Sequence, residues 1–332
     1  MARYALCADL QFDEYARLST MDKSGLPTRL LDLIACWRWI VEASVNMGCK
    51  SLFILGDVFN SRTEVSLSVL DLVCREFHAA SKKISLHVIA GNHDSLLRVP
   101  DRNSLQVFRG YATIYEEPTR RDTFALVPWI EDLDEYQQAV DTVSRRTGVL
   151  FLLSHILLEE AGYHGKGVPL SHLFPKRFKQ ILLGDVHEPK IITPHVRYVG
   201  SPLQIDFRDA GQTRGFCILD AQAQKVTFVE NTMSPRFHML SSGDVEGIRK
   251  KDFVRVKTEN PKDAIAAVKA AQKITPWVEA TLVEVEDTTP RIEVHTKDTH
   301  DEVLTRYCEY LGREDAEDLV KLGLAILKEA GD

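Results

Sequence analysis

Five short apolar runs in this chain each stop at a side chain able to bind a metal ion. The first stops at Asp9, the second at Gly56-Asp57, the third at Gly91-Asn92-His93-Asp94, a later one at His155, and the next at Gly184-Asp185-Val186-His187. Carboxylate, imidazole and amide oxygen are donors for divalent cations. A single carboxylate at a strand end is ordinarily a helix cap or a turn residue, and Asp9 or His155 alone would read that way. The set reads differently, because the carboxyl ends of strands in an open α/β sheet face one crevice, where residues distant in sequence converge. Cations gathered there polarise a phosphate and activate water, and an imidazole assists the departing oxygen. Such a set fits metal-assisted hydrolysis, and a phosphoester is a substrate on which it could act.

The elements that must position these residues follow from periodicity. Residues 4–8, 51–55, 86–90, 149–153 and 180–183 are apolar runs of the buried-strand kind, separated by helical spacing such as that of residues 28–47, 64–80 and 132–145. Alternating strand and helix predicts a layered α/β core. Beyond Leu183 the texture turns to hairpin-like strands at 197–200, 215–219 and 225–230, with Asp220-Ala221-Gln222-Ala223-Gln224 as a turn. Residues 253–257 and 278–285 alternate like strands around a helix at 261–271 that Pro261 opens. A unit of about 55 residues is too small to stand alone and is expected to pack on the core as an α/β cap. Residues 286–290 read as a linker. Two amphipathic helices follow, the first opened by the capping box Thr299-His300-Asp301-Glu302 and the pair joined around Gly312. The expected division is 1–233, 234–286 and 287–332.

Composition fits this plan. Hydrophobic residues make up 44% and charged residues 27% of the 332, within the globular range. Cys7, Cys36, Cys49, Cys74, Cys217 and Cys308 lack any CxxC spacing and read as reduced, buried packing residues rather than disulfides or a zinc site. No apolar run approaches the roughly eighteen residues that span a bilayer. Met1-Ala2-Arg3-Tyr4 enters the first strand without signal-peptide anatomy, so no membrane association and a cytoplasmic location are expected. The net charge of −7 argues against tight unaided binding to nucleic acid, which Lys and Arg drive by displacing counterions. Were the chain to act on nucleic acid, bound cations and a partner subunit would have to supply the positive field.

The ordered motifs resemble those of the calcineurin-like metallophosphoesterases, and within them the nuclease subunits of SbcCD-type DNA repair and recombination complexes, bacteriophage versions included. The family pattern of Asp-x-His, Gly-Asp, Gly-Asn-His-Asp/Glu, a lone His and Gly-His-x-His stands here as Asp9-Leu10-Gln11, Gly56-Asp57, Gly91-Asn92-His93-Asp94, His155 and Gly184-Asp185-Val186-His187. Tyr198-Val199-Gly200-Ser201-Pro202, Ala125-Leu126-Val127-Pro128-Trp129-Ile130 and Gly215-Phe216 narrow the branch. The resemblance covers about residues 4–220 and is one of layout beyond Met233. It implies a β-sandwich core flanked by helices and a centre for two divalent metal ions, with Mn2+ first and Mg2+ second. Asp57 would bridge the ions, Asp9 and His187 would complete one site, and Asn92, His155 and Asp185 the other. His93 would act at the scissile phosphate. DNA and an SbcC-like ABC-type ATPase are the partners implied, with the nuclease as a homodimer inside a heterotetramer.

Two positions depart from the pattern, because Gln11 and Asp185 stand where the family has histidine. Asp185 keeps an anionic oxygen, whereas Gln11 offers a neutral carbonyl, so the first metal is expected to be held less tightly and the whole site to be harder. Asn60 also differs from the acidic or histidine residue common there. A phosphoesterase acting on a monoester, cyclic nucleotide or phosphoprotein, and a scaffold subunit with a weakened site, remain the alternatives. The terminal helices carry apolar stripes at Val303, Leu304, Tyr307, Tyr310 and Leu311, then Leu319, Val320, Leu324 and Leu327. These stripes either pack on each other or the core, or dock on the ATPase. His164 and His172 read as loop histidines, and Gly165-Lys166-Gly167 lacks P-loop spacing. Trp37 and Trp39 read as core, and Arg120-Arg121 and Arg145-Arg146 as surface charge.

Overall fold

The computed structural model describes residues 2–95, 103–145, 147–163, 167–282, 292–295, 297–313 and 315–330. His164, Gly165-Lys166, Arg146 and the expected linker at 286–290 lie outside them. The chain divides into two compact units, Met1–Leu282 and Val283–Asp332.

In the first unit, β1 (Arg3–Cys7), β2 (Cys49–Leu55), β3 (Ser85–Ile89) and β4 (Ala112–Tyr115) run parallel as neighbours. A second sheet holds β5 (Thr119–Arg121), β6 (Phe124–Val127), β7 (Phe151–His155), β8 (Gln180–Gly184), β9 (Lys190–Thr193) and β10 (Val196–Tyr198), in the order β5-β6-β7-β8-β10-β9. The hairpin of β11 (Gly215–Asp220) and β12 (Lys225–Glu230) then returns to the first sheet and pairs antiparallel with β1. Asp220 holds its turn by accepting from the N–H groups of Gln222 and Ala223.

Alternation along each strand divides its side chains between two layers. Leu6, Phe53, Leu55 and Ile89 face Phe124, Leu126, Phe151, Leu153 and Leu182 across the space between the sheets. Ala5, Cys7, Leu52, Ile54 and Val88 point the other way, onto α1 (Thr28–Asn46) and α2 (Leu67–Ser81). Ala125, Val127, Leu152, Ile181 and Leu183 meet Tyr136, Val140 and Val143 of α3 (Leu133–Ser144). The result is a two-sheet sandwich with helices on both outer faces, the α/β layered class that the alternation predicted. Both faces of the central strands are covered, which is why they read as unbroken apolar runs. Trp37 stacks on Phe77 at 4.5 Å and Trp39 meets Phe216 edge-on at 5.2 Å, so both tryptophans are packing residues. All six cysteines are free thiols, with Cys49 and Cys74 half-buried rather than fully enclosed.

A three-stranded parallel sheet closes the first unit: β13 (Phe237–Leu240), β14 (Phe253–Thr258) and β15 (Val278–Leu282), with α4 (Pro261–Gln272) as the crossover. Asn260 caps α4 through the N–H of Lys262, and Pro261 fills the first turn. The sheet is fastened to the core by Arg29, whose guanidinium lies 5.0, 5.1 and 4.8 Å from the ring centres of Tyr15, Phe237 and Phe253.

In the second unit, α5 (His300–Tyr310) opens with both halves of the Thr299–Glu302 capping box and packs against α6 (Ala316–Ala330). Cys308 and Val320 are buried, and a Cβ on Gly323 would come within 2.9 Å of Leu304, so the helices approach closely there. Val303, Leu304, Tyr307, Leu319, Leu324 and Leu327 are half-buried. Leu311, Leu322 and Ile326 are exposed.

Candidate metal centre

Six of the expected side chains come from the strand ends of two different sheets. Asp9, Asp57 and Asn92 follow β1, β2 and β3 of the first sheet, while His155 ends β7 and Asp185 and His187 follow β8 of the second. The chain must turn sharply as each strand stops. Asp9, Gln11, Asp57 and Asp185 accordingly have φ of 52°, 50°, 56° and 90°, a left-handed conformation that costs a side-chain-bearing residue about 1 kcal/mol or more. Such strain persists only where surroundings hold it in place. Here, the N–H groups of Asp9, Gln11 and Phe12 bond to the carbonyls of Gly56, Asp57 and Val58, which carries the β1–β2 ladder past the strand ends.

Asp94 is the second restraint. It is buried, and its carboxylate accepts from the N–H groups of Gly91 and Asp57, both at 2.8 Å, and of Val58 at 3.0 Å. It thereby clamps the loop after β2 to the loop after β3. Burial, and then the charge of Asp57, push its pKa up to about 6. Sequence reasoning quoted Asp94 within the third motif and gave it no task. The glycines of the motifs have a steric reason. A Cβ on Gly91 would strike Asp57, one on Gly56 the His155 ring, and one on Gly184 the Leu55 carbonyl.

These restraints bring donor atoms of Asp9, Asp57 and His155 within 4.8 Å of one another. Asp9 and His155 are wholly buried and Asp57 is 2% exposed. His155 Nδ1 donates to Leu55 O at 2.6 Å, which turns Nε2 inward. Around Nε2 lie Asn92 Oδ1 at 3.1 Å, Asp57 Oδ1 at 3.5 Å and Asp185 Oδ1 at 3.5 Å. Gln11 Nε2 donates to Asp57 Oδ2 at 3.1 Å, so its amide nitrogen faces the carboxylate and its carbonyl faces away. His187 lines the adjoining cleft with Asp185, and among the described residues its ring makes no hydrogen bond or ion pair to the others. His93 bonds through its N–H to Asp57 Oδ1 at 2.9 Å, and its Nδ1 donates to Asn60 O at 2.5 Å. Residue 60 therefore acts on His93 through its backbone, and its side chain turns to Asp13 Oδ2 at 2.7 Å. A carbonyl partner is open to any residue type, so no sequence signal marks it.

Electrostatics argue that the cluster is built for a cation. Burial raises the pKa of Asp9 well above the carboxylate range, with Asp57 and Asp185 adding to the rise and His155 opposing it. Burial disfavours an imidazolium at His155, yet Asp57, Asp185 and Asp9 together hold its pKa well above the usual value. The Asp9 shift expresses first its burial and then the neighbouring carboxylates, and the His155 shift expresses those carboxylates; both groups take up protons when nothing else neutralises the cluster. Asp9 Oδ2 is buried without a hydrogen-bond partner, a costly arrangement unless a ligand completes it. Carboxylate, imidazole and amide oxygens in this proximity fit a divalent cation, and Asp9, Asp57 and His155 are the residues that could hold it.

Two clefts open beside the cluster. One, of about 810 Å³, is lined by Asn92, Trp129, Glu131, Asp132, Asp134 and Asp185. The other, of about 730 Å³, runs past His187 to Asp206, Arg208, Asp209 and Arg214.

Residues 2–195 match the family described as Calcineurin-like phosphoesterase. Exonuclease subunit 1 of Enterobacteria phage T4 is 25% identical over 232 residues, covering 65% of this chain and 66% of that protein. The D component of the nuclease SbcCD from Staphylococcus epidermidis is 23% identical over 250 residues, covering 63% and 66%. The chain thus spans just under two thirds of the length of these curated relatives. The crystal structure of a dimetal phosphatase from Danio rerio overlaps with a TM-score of 0.41 at 12% identity, over 65% of this chain and 91% of that one. With strand-end donors converging between two sheets and more than half of its length matched by that one family, the chain belongs to the calcineurin-like phosphoesterases.

Proposed function

We propose that this protein is a metal-dependent nuclease that hydrolyses DNA phosphodiesters at a centre for two divalent cations, as the nuclease subunit of a complex with an SbcC-like ATPase. The observation that carries the reading is the buried cluster of Asp9, Asp57 and His155, with Asn92 and Asp185 at its edge and His93 beside it. The names of the two curated relatives, one from a phage exonuclease and one from the nuclease SbcCD, support the substrate and the partner. In this reading Asp57 would serve both cations, Asp9 and His187 would help to hold one of them, and Asn92, His155 and Asp185 the other. Bound cations, Mn2+ foremost and Mg2+ as well, would supply positive charge to the phosphate and lower the pKa of the attacking water.

The chain's own residues do the rest. Asp94 and the β1–β2 ladder hold Asp57 and Asp9 in place. Asn60 O fixes the ring of His93 through Nδ1, leaving Nε2 to meet a phosphate oxygen. Hydrolysis breaks the bond between phosphorus and the leaving sugar oxygen, which must collect a proton; because Nδ1–H is engaged by Asn60 O, His93 gives that proton from Nε2 in its imidazolium form and is left as the neutral ring.

The test uses purified protein with Mn2+, end-labelled duplex DNA, a chromogenic phosphodiester and a chromogenic monoester. Release of labelled nucleotide, abolished by Asp57→Asn, is the expected result. Turnover of the monoester with intact DNA would assign the centre to another phosphoester, and stoichiometric binding to the ATPase without any turnover would mark a scaffold.

A further inference from the structure

Arg214 stands immediately before β11, and its side chain is 3% exposed. One nitrogen carries all of its polar contacts, since Nη2 reaches both Gln212 Oε1 and Asp209 Oδ1 at 2.6 Å. Nε and Nη1 are buried and, among the described residues, have no hydrogen-bond partner. A guanidinium stays ionised at any physiological pH, so withdrawing two of its nitrogens from water with nothing in return is unfavourable. Arg29, also buried, shows how this chain satisfies a structural arginine, with the Ile205 carbonyl at 2.7 Å and three aromatic rings. Arg214 has no such arrangement. What it lacks is an acceptor with oxygens set for a planar fork, and phosphate is such an acceptor.

Its position says which phosphate. Arg214 lines the cleft that runs past His187, and among the described residues it makes no hydrogen bond or ion pair with the Asp9–Asp57–His155 cluster where the scissile phosphate is read to sit. Along that cleft Asp206 and Asp209 are each paired, with Arg208 and Arg214 at 2.6 Å, while Glu188 accepts from the Tyr163 hydroxyl at 2.8 Å and Asp185 belongs to the centre. The other cleft presents Glu131, Asp132 and Asp134 and, among the described residues, no basic side chain. The cationic partners for a strand's phosphates beside the centre therefore lie on the arginine side. Gln212 is the plug: its neutral amide oxygen accepts one of the Arg214 Nη2 donors, and among the described residues its own Nε2 is tethered only to Arg208 O at 3.3 Å. A phosphate oxygen that displaces it gains a charged partner.

We infer that Arg214 receives the phosphate adjoining the scissile one in a polynucleotide strand, and so makes the centre prefer a polynucleotide to an isolated phosphodiester. The inference rests on the nuclease reading and deepens it. Removing Arg214 alone would leave Asp209 an unpaired buried charge, so the decisive variant is the double Arg214→Gln, Asp209→Asn, in which residue 209 still accepts the Ile205 N–H now bonded at 2.7 Å. Arg214→Lys is its companion, keeping the charge and losing the fork. Each protein is assayed with Mn2+ on bis(p-nitrophenyl) phosphate, which has a single phosphate, and on an oligonucleotide, across a salt series.

In the double variant the ratio of kcat/KM on the oligonucleotide to that on the small diester should fall about tenfold, through KM, and the slope of log KM against log salt should become shallower by about one. Arg214→Lys should raise KM on the oligonucleotide while keeping the wild-type salt slope. Equal losses on both substrates would overturn the inference by placing Arg214 at the scissile phosphate or in the scaffold. No change on either would overturn it in favour of a buried water. A wild type that hydrolyses the small diester but cuts no oligonucleotide would overturn the nuclease reading itself, and this inference with it.

Discussion

Asp57 serves several neighbours at once. Its Oδ1 accepts from the His93 N–H, its Oδ2 accepts from Gln11, and its own N–H is held by Asp94. His93 differs in kind, since among the described residues its ring is tied only to Asn60 O. His93→Ala should therefore lower DNA cleavage by about 100-fold or more while metal content measured on the same preparation stays near wild type. Loss of metal, or normal cutting, would show the role to be wrong. Gln11 makes the second case. Its carbonyl faces away from Asp57, so a cation there must either turn the amide over or do without it. Gln11→His should lower the manganese concentration for half-maximal cleavage about tenfold, and an unchanged requirement in side-by-side titration would show that residue 11 does not reach the metal. The candidate residues were legible in the sequence because each closes an apolar run with a donor side chain. Asp94 as a clamp, Asn60 O as an orienting acceptor and Arg214 were not, because an aspartate that binds N–H groups has the same letter as one that binds a cation. Backbone acceptors carry no letter at all.

At the scale of elements, the long buried strands and α1 to α3 follow the periodicity to within a few residues. The strands that periodicity does not mark are β4, β5, β6, β9 and β13, each three or four residues long. A run so short offers at most two alternations, and β4, β5, β9 and β13 also lie at the edges of their sheets, where one flank has no partner to demand apolar side chains. The terminal helices show the opposite limit, because the pattern finds them but not what they face. Leu304 and Gly323 meet at the contact of α5 with α6 and Cys308 and Val320 are buried, whereas Leu322 and Ile326, one turn apart on α6, are exposed. If this unit docks on an SbcC-like ATPase, deletion of residues 298–332 should eliminate co-purification and spare cleavage of simple substrates. Leu322→Glu with Ile326→Glu should weaken the complex about tenfold or more. A complex retained at full strength in both variants would refute the assignment.

At the scale of the molecule, acid sensitivity should have one identifiable source in the small sheet. Asp252 is buried just before β14 and accepts from His238 Nε2 at 3.0 Å, from the N–H groups of Arg236 and Arg249, and from the Arg249 guanidinium, the last three at 2.9 Å. Burial alone would raise its pKa, but these bonds hold it well below the carboxylate range. A carboxyl whose pKa is depressed on folding contributes stability above its unfolded value of about 4, and that contribution is lost as pH falls through the folded value. Asp252→Asn should therefore lower Tm by roughly 5 °C at pH 7, with the difference narrowing steadily below about pH 4. A constant difference down to pH 3 would mean that ionisation contributes nothing there. The placing of the centre between the two sheets has a mechanical side. With Asp9, Asp57 and Asn92 on one layer and His155, Asp185 and His187 on the other, an ion held among them would be a rivet through the sandwich, and the protons taken up in its place would tie the layers less firmly. Chelation should then loosen the molecule as a seam opens: amide protons at the carboxyl ends of β1, β2, β7 and β8 should exchange faster together, while the far ends of the same strands keep their protection.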